Sequence, residues 1–162
     1  MSETRTIKKG DQAPDFVITA SNGDDVTLSD FLGGPLVLFF YAKNDSRDCV
    51  RLVSEFRDHY SEFIEHGAQV AGVAIEKLGS HSKFVSKYKI PFLLLCDKDM
   101  YLSKLYGVFG PRDLNGATVL GIARTTLIIN PKGEIVKIFN NVNPKGHAKR
   151  VLEYLKKTFS SD

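Results

Sequence analysis

The sequence predicts an α/β fold built on a mixed central sheet with helices on both faces. Two observations carry this. In the first half, short apolar runs rich in Val, Leu and Phe alternate with stretches whose apolar residues recur at helical spacing, the order of parallel β-α-β units. In the second half, two such runs flank Asn130-Pro131-Lys132-Gly133, a turn sequence, and a helical stretch follows, so a hairpin and a helix close the chain. The chain has 162 residues, 43% hydrophobic and 25% charged, which suits one domain over residues 1–162 with a sizeable core.

Taken in order, residues 1–12 are polar and read as a loosely held surface segment. Phe16-Val17-Ile18-Thr19 and Val26-Thr27-Leu28 flank Ser21-Asn22-Gly23-Asp24 and predict an N-terminal β-hairpin extension. Ser29-Asp30-Phe31-Leu32 reads as one capped turn, stopped by Gly33-Gly34. Residues 35–41 are apolar and aromatic throughout, too short for a membrane span, and read as a strand buried on both faces. Lys43, Asn44, Asp45 and Ser46 form a polar loop. Then Val50, Leu52, Val53, Phe56, Tyr60, Phe63 and Ile64 recur at helical spacing and predict one helix ending near Gly67.

Residues 69–75 form a second buried strand. Residues 80–88 form a short helix with Ser80 as its N-cap, and residues 92–95 a short strand after Pro91. Asp97-Lys98-Asp99 opens a helix carrying Leu102, Leu105 and Tyr106 and closed by Gly107. This Asp-x-Asp lacks the glycine and distal glutamate of a calcium loop and reads as a cap. Residues 109–121, with Pro111, Asn115 and Gly116, read as the longest loop. Residues 125–129 and 134–139 are hairpin strands, and residues 145–159 a final helix with lysines in its last turns, where the helix dipole favours them. The order is the thioredoxin-like arrangement.

Composition excludes several function classes. The net charge is +3, the close basic pairs are Lys8-Lys9 and Lys156-Lys157, and no basic stripe interleaves with aromatics, so no nucleic-acid partner is expected. No apolar segment opens the chain and none reaches membrane-helix length, so a cytoplasmic protein without a membrane partner is expected. Cys49 and Cys96 make neither a disulfide framework nor a zinc site; no metal and no cofactor are expected.

Cys49 sits where a strand ends, a loop turns and a helix begins. Free backbone N–H groups and the positive end of the helix dipole meet there, and both favour an anion, hence thiolate over thiol. Ser46, three residues earlier, is placed as an N-cap or as a hydroxyl partner for the sulfur. Read without context, Cys49 is equally a small packed side chain in a first turn. Cys96 ends an apolar run, the setting of a packing cysteine.

Several stretches together resemble the peroxiredoxins, most closely the Q type, also called bacterioferritin comigratory protein. GDQAPDF opens the similarity. VLFFYAKNDSRDCV is similar to the family's strand and P-x-x-x-T/S-x-x-C loop, and EFRDHY follows. SHSKF, IPFLLLCD and GIARTTLIINPKGEI are similar to its next helix, strand and arginine-bearing hairpin. The resemblance implies a thioredoxin fold and a peroxidase that reduces hydrogen peroxide and alkyl hydroperoxides with cysteine alone. It implies Cys49 as the peroxidatic cysteine, Ser46 as the loop hydroxyl and Arg124 as the arginine beside the sulfur. Attack on peroxide leaves Cys49 as a sulfenic acid. Read without the motif, Ser46 is a plain cap and Arg124 a surface strand arginine.

The chain departs from the pattern in four places. Ala42 replaces the proline that would fix the loop. Ser46 replaces the commoner threonine, Leu52 a frequent glutamate, and Ser54 stands where many members carry the resolving cysteine, either naturally or by engineered replacement. Cys96 is the remaining candidate for that role. The expectation is a one-cysteine cycle reduced by thioredoxin, glutaredoxin or a small thiol, in a monomer or weak dimer. A peroxide sensor relaying oxidation to a partner is the alternative. A disulfide oxidoreductase lacks its second thiol at Leu52, and a cysteine protease lacks a histidine marked as base.

Overall fold

The computed structural model describes residues 7–114 and 116–159. A central sheet in the order β5-β4-β3-β8-β9 organises them. Its strands are β3 (Leu36–Phe40), β4 (Gln69–Ala74), β5 (Leu93–Cys96), β8 (Thr125–Ile129) and β9 (Ile135–Phe139). β3, β4 and β5 run parallel, whereas β8 and β9 join antiparallel. Every residue of β3 is buried, as its unbroken apolar run requires. Its side chains alternate between two cores. Val37, Phe39 and Tyr41 face one cluster with α1 (Arg47–Asp58), α2 (Tyr60–Glu65), α3 (Leu78–Tyr88) and α5 (His147–Thr158). Leu36, Leu38 and Phe40 face the other, with α4 (Tyr101–Leu105), the N-terminal hairpin β1 (Val17–Thr19) and β2 (Asp25–Thr27), and the 3₁₀ turn Leu28–Phe31.

Four of the differences from the sequence reading have a local reason. The predicted single helix breaks at His59 into α1 and α2; His59 has φ −103° and ψ 5°, and its N–H still bonds the Glu55 carbonyl. α3 starts at Leu78 with Lys77 at its N-cap, because the Ser80 hydroxyl is engaged by Asn44. The 3₁₀ turn starts one residue earlier, at Leu28, with Thr27 as its N-cap, and Asp30 reaches back to the Thr27 N–H at 2.8 Å. Residues 109–121 are not a loop but a hairpin, β6 (Phe109–Leu114) and β7 (Ala117–Ile122). It stands outside the central sheet, with Val119 and Leu120 exposed, so no in-out alternation marks it. Pro111 is tolerated because both strands are edges.

Asp97 does act as a cap. Its carboxylate accepts from the Leu102 N–H at 2.8 Å and from the Ser103 N–H and hydroxyl at 2.8 and 2.7 Å.

An aromatic stack seats α1 on β3. Phe39 lies on Phe56 at 4.4 Å between ring centroids and 13° between planes, and Tyr41 continues the stack at 5.8 Å. The stack needs Gly72. A Cβ there would stand 2.7 Å from Cζ of Phe39. Gly72→Ala is therefore expected to destabilise the protein by about 1–3 kcal/mol through overpacking, read as a lower urea midpoint.

α5 closes the same core. His147 is buried at its start, with Nε2 2.8 Å from the Thr126 hydroxyl and its ring edge-on to Phe56 and Phe139. Burial, reinforced by the Arg150 cation and opposed by Glu55, pushes His147 down to about 4. The folded value lies below the unfolded value of about 6.5, so folding favours the neutral ring. That stability is fully present above pH 6.5 and is lost as pH falls toward 4, about 3 kcal/mol across the window. Urea midpoints at pH 7 and pH 4.5 are expected to show it, and His147→Gln is expected to flatten the difference.

Candidate active site

The site forms at the C-terminal end of β3. The chain leaves the sheet at Tyr41, whose N–H still bonds the Val73 carbonyl at 2.9 Å, and turns through residues 42–46 into α1. Ser46 is the N-cap, in extended conformation, and its Oγ accepts from the Cys49 N–H at 3.2 Å. Cys49 is thus the third residue of α1, beside the helix's unpaired N–H groups. Cys49, Leu52, Val53 and Phe56 form one buried stripe, so the Phe39–Phe56 stack also fixes where the sulfur lies. Cys49 is 3% exposed.

Arg124 arrives from the other side. β8 pairs with β3 so that Thr125 faces Phe40, and Arg124 immediately precedes β8. Its carbonyl accepts from the Val142 N–H at 3.1 Å, and its Nη1 lies 3.5 Å from Oδ2 of Asp48, the residue before Cys49. A pair this exposed adds little stability, but it aims the guanidinium at the first turn of α1. Ser46 and Cys49 share the first turn of α1, and Arg124 meets that turn at Asp48.

Cys96 is elsewhere. It ends β5, the edge strand of the sheet, whereas Cys49 lies in α1. A disulfide needs Cα atoms within about 7 Å. Both thiols are free. Burial pushes the Cys96 thiol up to about 11, so it is protonated at neutral pH. It lines a groove of about 720 Å³ with Val17, Leu78 and Tyr101. A different groove, of about 310 Å³, flanks the start of α1 and is lined by Asn44, Val50, Ser80 and Phe84 among others. Cys49 lines neither.

Sequence reasoning missed a buried polar network beside the sulfur. The Tyr41 hydroxyl donates to Asn44 Oδ1 at 2.7 Å. Asn44 Nδ2 donates to Ser80 Oγ at 3.1 Å and to His81 Nδ1 at 3.0 Å. His81 Nε2 donates to the Leu95 carbonyl at 3.0 Å. That carbonyl can only accept, so the ring proton sits on Nε2 and Nδ1 is free to accept from Asn44. The Asn44 N–H donates to Glu76 Oε2 at 2.8 Å. Burial pushes His81 down, opposed by the Leu95 carbonyl, Glu76 and the Ala74 carbonyl, which keeps it neutral. Burial first, then repulsion from Cys49, Glu76 and Cys96, raises the Tyr41 phenol well above its usual range. In sequence Asn44 reads only as part of a polar loop, and nothing local ties residue 44 to residue 81.

Among the described residues no cluster of His, Cys, Asp and Glu is arranged to hold a metal ion, and no helix is long and apolar enough to cross a membrane.

The AhpC/TSA family pattern matches residues 9–138. A Helicobacter pylori protein named putative peroxiredoxin bcp is 41% identical over 149 residues, covering 92% of this chain and 98% of its own. Among solved structures, a serine-substituted variant of Xylella fastidiosa PrxQ superposes with a TM-score of 0.87 at 31% identity, covering 93% of this chain and 96% of that one. The Xanthomonas campestris bacterioferritin comigratory protein, studied for its alkyl peroxide reduction activity, superposes with a TM-score of 0.83 at 32% identity, covering 88% and 90%.

Proposed function

Because the chain belongs to the AhpC/TSA family, as a thiol-dependent peroxidase of the Bcp and peroxiredoxin Q type, we propose that Cys49 is its peroxidatic residue, with Ser46 and Arg124 completing the site. Hydrogen peroxide and organic hydroperoxides are the substrates. The thiolate sulfur of Cys49 attacks one peroxide oxygen, the O–O bond breaks, and water or an alcohol leaves with a proton from solvent. The sulfur is oxidised by two electrons to sulfenic acid and the O–O bond is reduced by the same two. As the bond breaks, negative charge moves onto the leaving oxygen. Arg124 offers a planar fork of donors for that charge, and the Ser46 hydroxyl and first-turn N–H groups offer further donors.

The observation carrying this reading is the convergence of the Ser46 cap, Cys49 and the Asp48-held Arg124 on one helical turn. The cycle is a one-cysteine cycle. The strand separation and raised pKa of Cys96 support it, as does Ser54 in the helix of Cys49. An external thiol (thioredoxin, glutaredoxin or a small thiol) condenses with the sulfenic acid, releasing water. A second thiol then returns Cys49. The same reading takes the protein as cytoplasmic and as a monomer or weak dimer without nucleic acid or membrane. The test is to add one equivalent of peroxide, trap sulfenic acid with a dimedone probe and locate it by peptide mass. Adduct on Cys49 is expected; adduct on Cys96 alone overturns the assignment.

A further inference from the structure

Past the carboxyl ends of β4 and β5, two grooves meet. The groove of about 720 Å³ that holds Cys96 lies between β1, the start of α3 and the residues that follow β5. A second, of about 620 Å³, runs along the first turns of α3. Lys77, Gly79 and Lys98 line both, so the two form one crevice, and Cys49 lines neither. The two ends differ in chemistry. The first presents Val17, Leu78 and Tyr101, which are 62%, 40% and 45% exposed. They are three of the six large apolar side chains left in solvent among the described residues. Scattered singly such residues need no explanation, but here they share one wall. The second end carries Lys77, Lys83 and Lys98.

Nothing nearby neutralises these lysines. The Asp97 carboxylate is spent on the first turn of α4, and Glu76 accepts from the Asn44 N–H. Among the described residues none of the three ammonium groups forms an ion pair. An anion placed among them relieves their mutual repulsion. Ser80 lies at the same end; its Oγ accepts from Asn44 Nδ2 and keeps its own proton to donate. At the apolar end the sign reverses, because Asp25 and Asp99 line it. That field holds an anionic head among the lysines and leaves its apolar body beside Val17, Leu78 and Tyr101.

We propose that this crevice binds a phosphate monoester carried on a flat aromatic body, with the phosphate among Lys77, Lys83 and Lys98 and the ring against Tyr101. A phosphate monoester brings a charge of about −1.5 to −2 and three acceptor oxygens to three compact cations, where a carboxylate brings one charge and two oxygens. The exposed Tyr101 ring gives an aromatic group a face to stack on. Nucleoside monophosphates and simple aryl phosphates share this chemistry.

Titration calorimetry at low ionic strength, with adenosine 5′-monophosphate, phenyl phosphate, inorganic phosphate and adenosine, tests the site. At least one of the two esters is expected to bind about tenfold or more tighter than inorganic phosphate and than adenosine, each of which fills only one end. Lys83→Gln and Lys98→Gln are each expected to weaken the ester about tenfold, the scale of one charge-assisted hydrogen bond. Tyr101→Ala is expected to weaken it about fivefold while leaving inorganic phosphate unchanged, which a bare patch of lysines would not do. All three side chains are exposed, so the variants are expected to keep the wild-type urea midpoint. A preference for adenosine 5′-monophosphate assigns the site to nucleotides, and a preference for phenyl phosphate to aryl phosphates; either supports the class. Inorganic phosphate binding as tightly as both esters means an adventitious ion only and overturns the proposal. So does ester binding that the lysine variants leave intact, or no binding of either ester.

Discussion

Cys49→Ser is expected to abolish peroxide turnover, lowering kcat/KM with any thiol donor by at least about 10³-fold, whereas Cys96→Ser keeps it within about twofold. A serine hydroxyl is not ionised at neutral pH and cannot take oxygen from peroxide to form a sulfenic acid, so no residual route remains at that position. The fold tolerates the change, because the Cys49 side chain is small and its N–H, not its sulfur, makes the capping bond to Ser46. The insensitivity of Cys96 follows from place and protonation. It lies on the edge strand, two strands from β3, and burial holds it as a thiol up to about pH 11. Peroxide consumption coupled to a thioredoxin system, with both single variants alongside wild type, measures the contrast. Equal loss in the two variants would make Cys96 the resolving residue and end the one-cysteine cycle.

Arg124→Ala is expected to lower the rate of Cys49 oxidation by about 10²–10³-fold, the scale of one lost charge-stabilising donor at a reacting oxygen. Stability is expected to change little, because the Asp48–Arg124 pair is at 3.5 Å with both side chains partly in solvent. Arg124→Lys is expected to recover only part of the rate. A lysine restores the charge but not the planar fork that spans two oxygens. Stopped-flow oxidation of the reduced protein reads the chemical step directly, and urea midpoints read the stability. A large fall in stability with an unchanged oxidation rate would reassign Arg124 as a strut for the first turn of α1.

Part of this architecture was legible from local pattern. The unbroken apolar run through Leu36–Phe40, the helical recurrence after Cys49, and the turn at Asn130-Pro131-Lys132-Gly133 each act within a few residues. Ser46 as cap of the Cys49 helix was legible for the same reason: an N-cap bond spans three positions. Where a distant partner competed, the local reading failed. Ser80 looked like a cap but is engaged by Asn44, and the hairpin β6–β7 looked like a loop because most of β7 is exposed and shows no alternation.

By itself, the sequence determined the α/β class, the position of Cys49 at a helix start and the family motif around it, because periodicity and capping are short-range. Tertiary structure decided the rest. It set Arg124 beside Asp48 through the pairing of Thr125 with Phe40, put Cys96 two strands away, and gathered Tyr41, Asn44, Glu76, Ser80 and His81 into one network. Each of these depends on which strands become neighbours. Strand order is chosen by the packing of whole layers, and no short window of residues contains it.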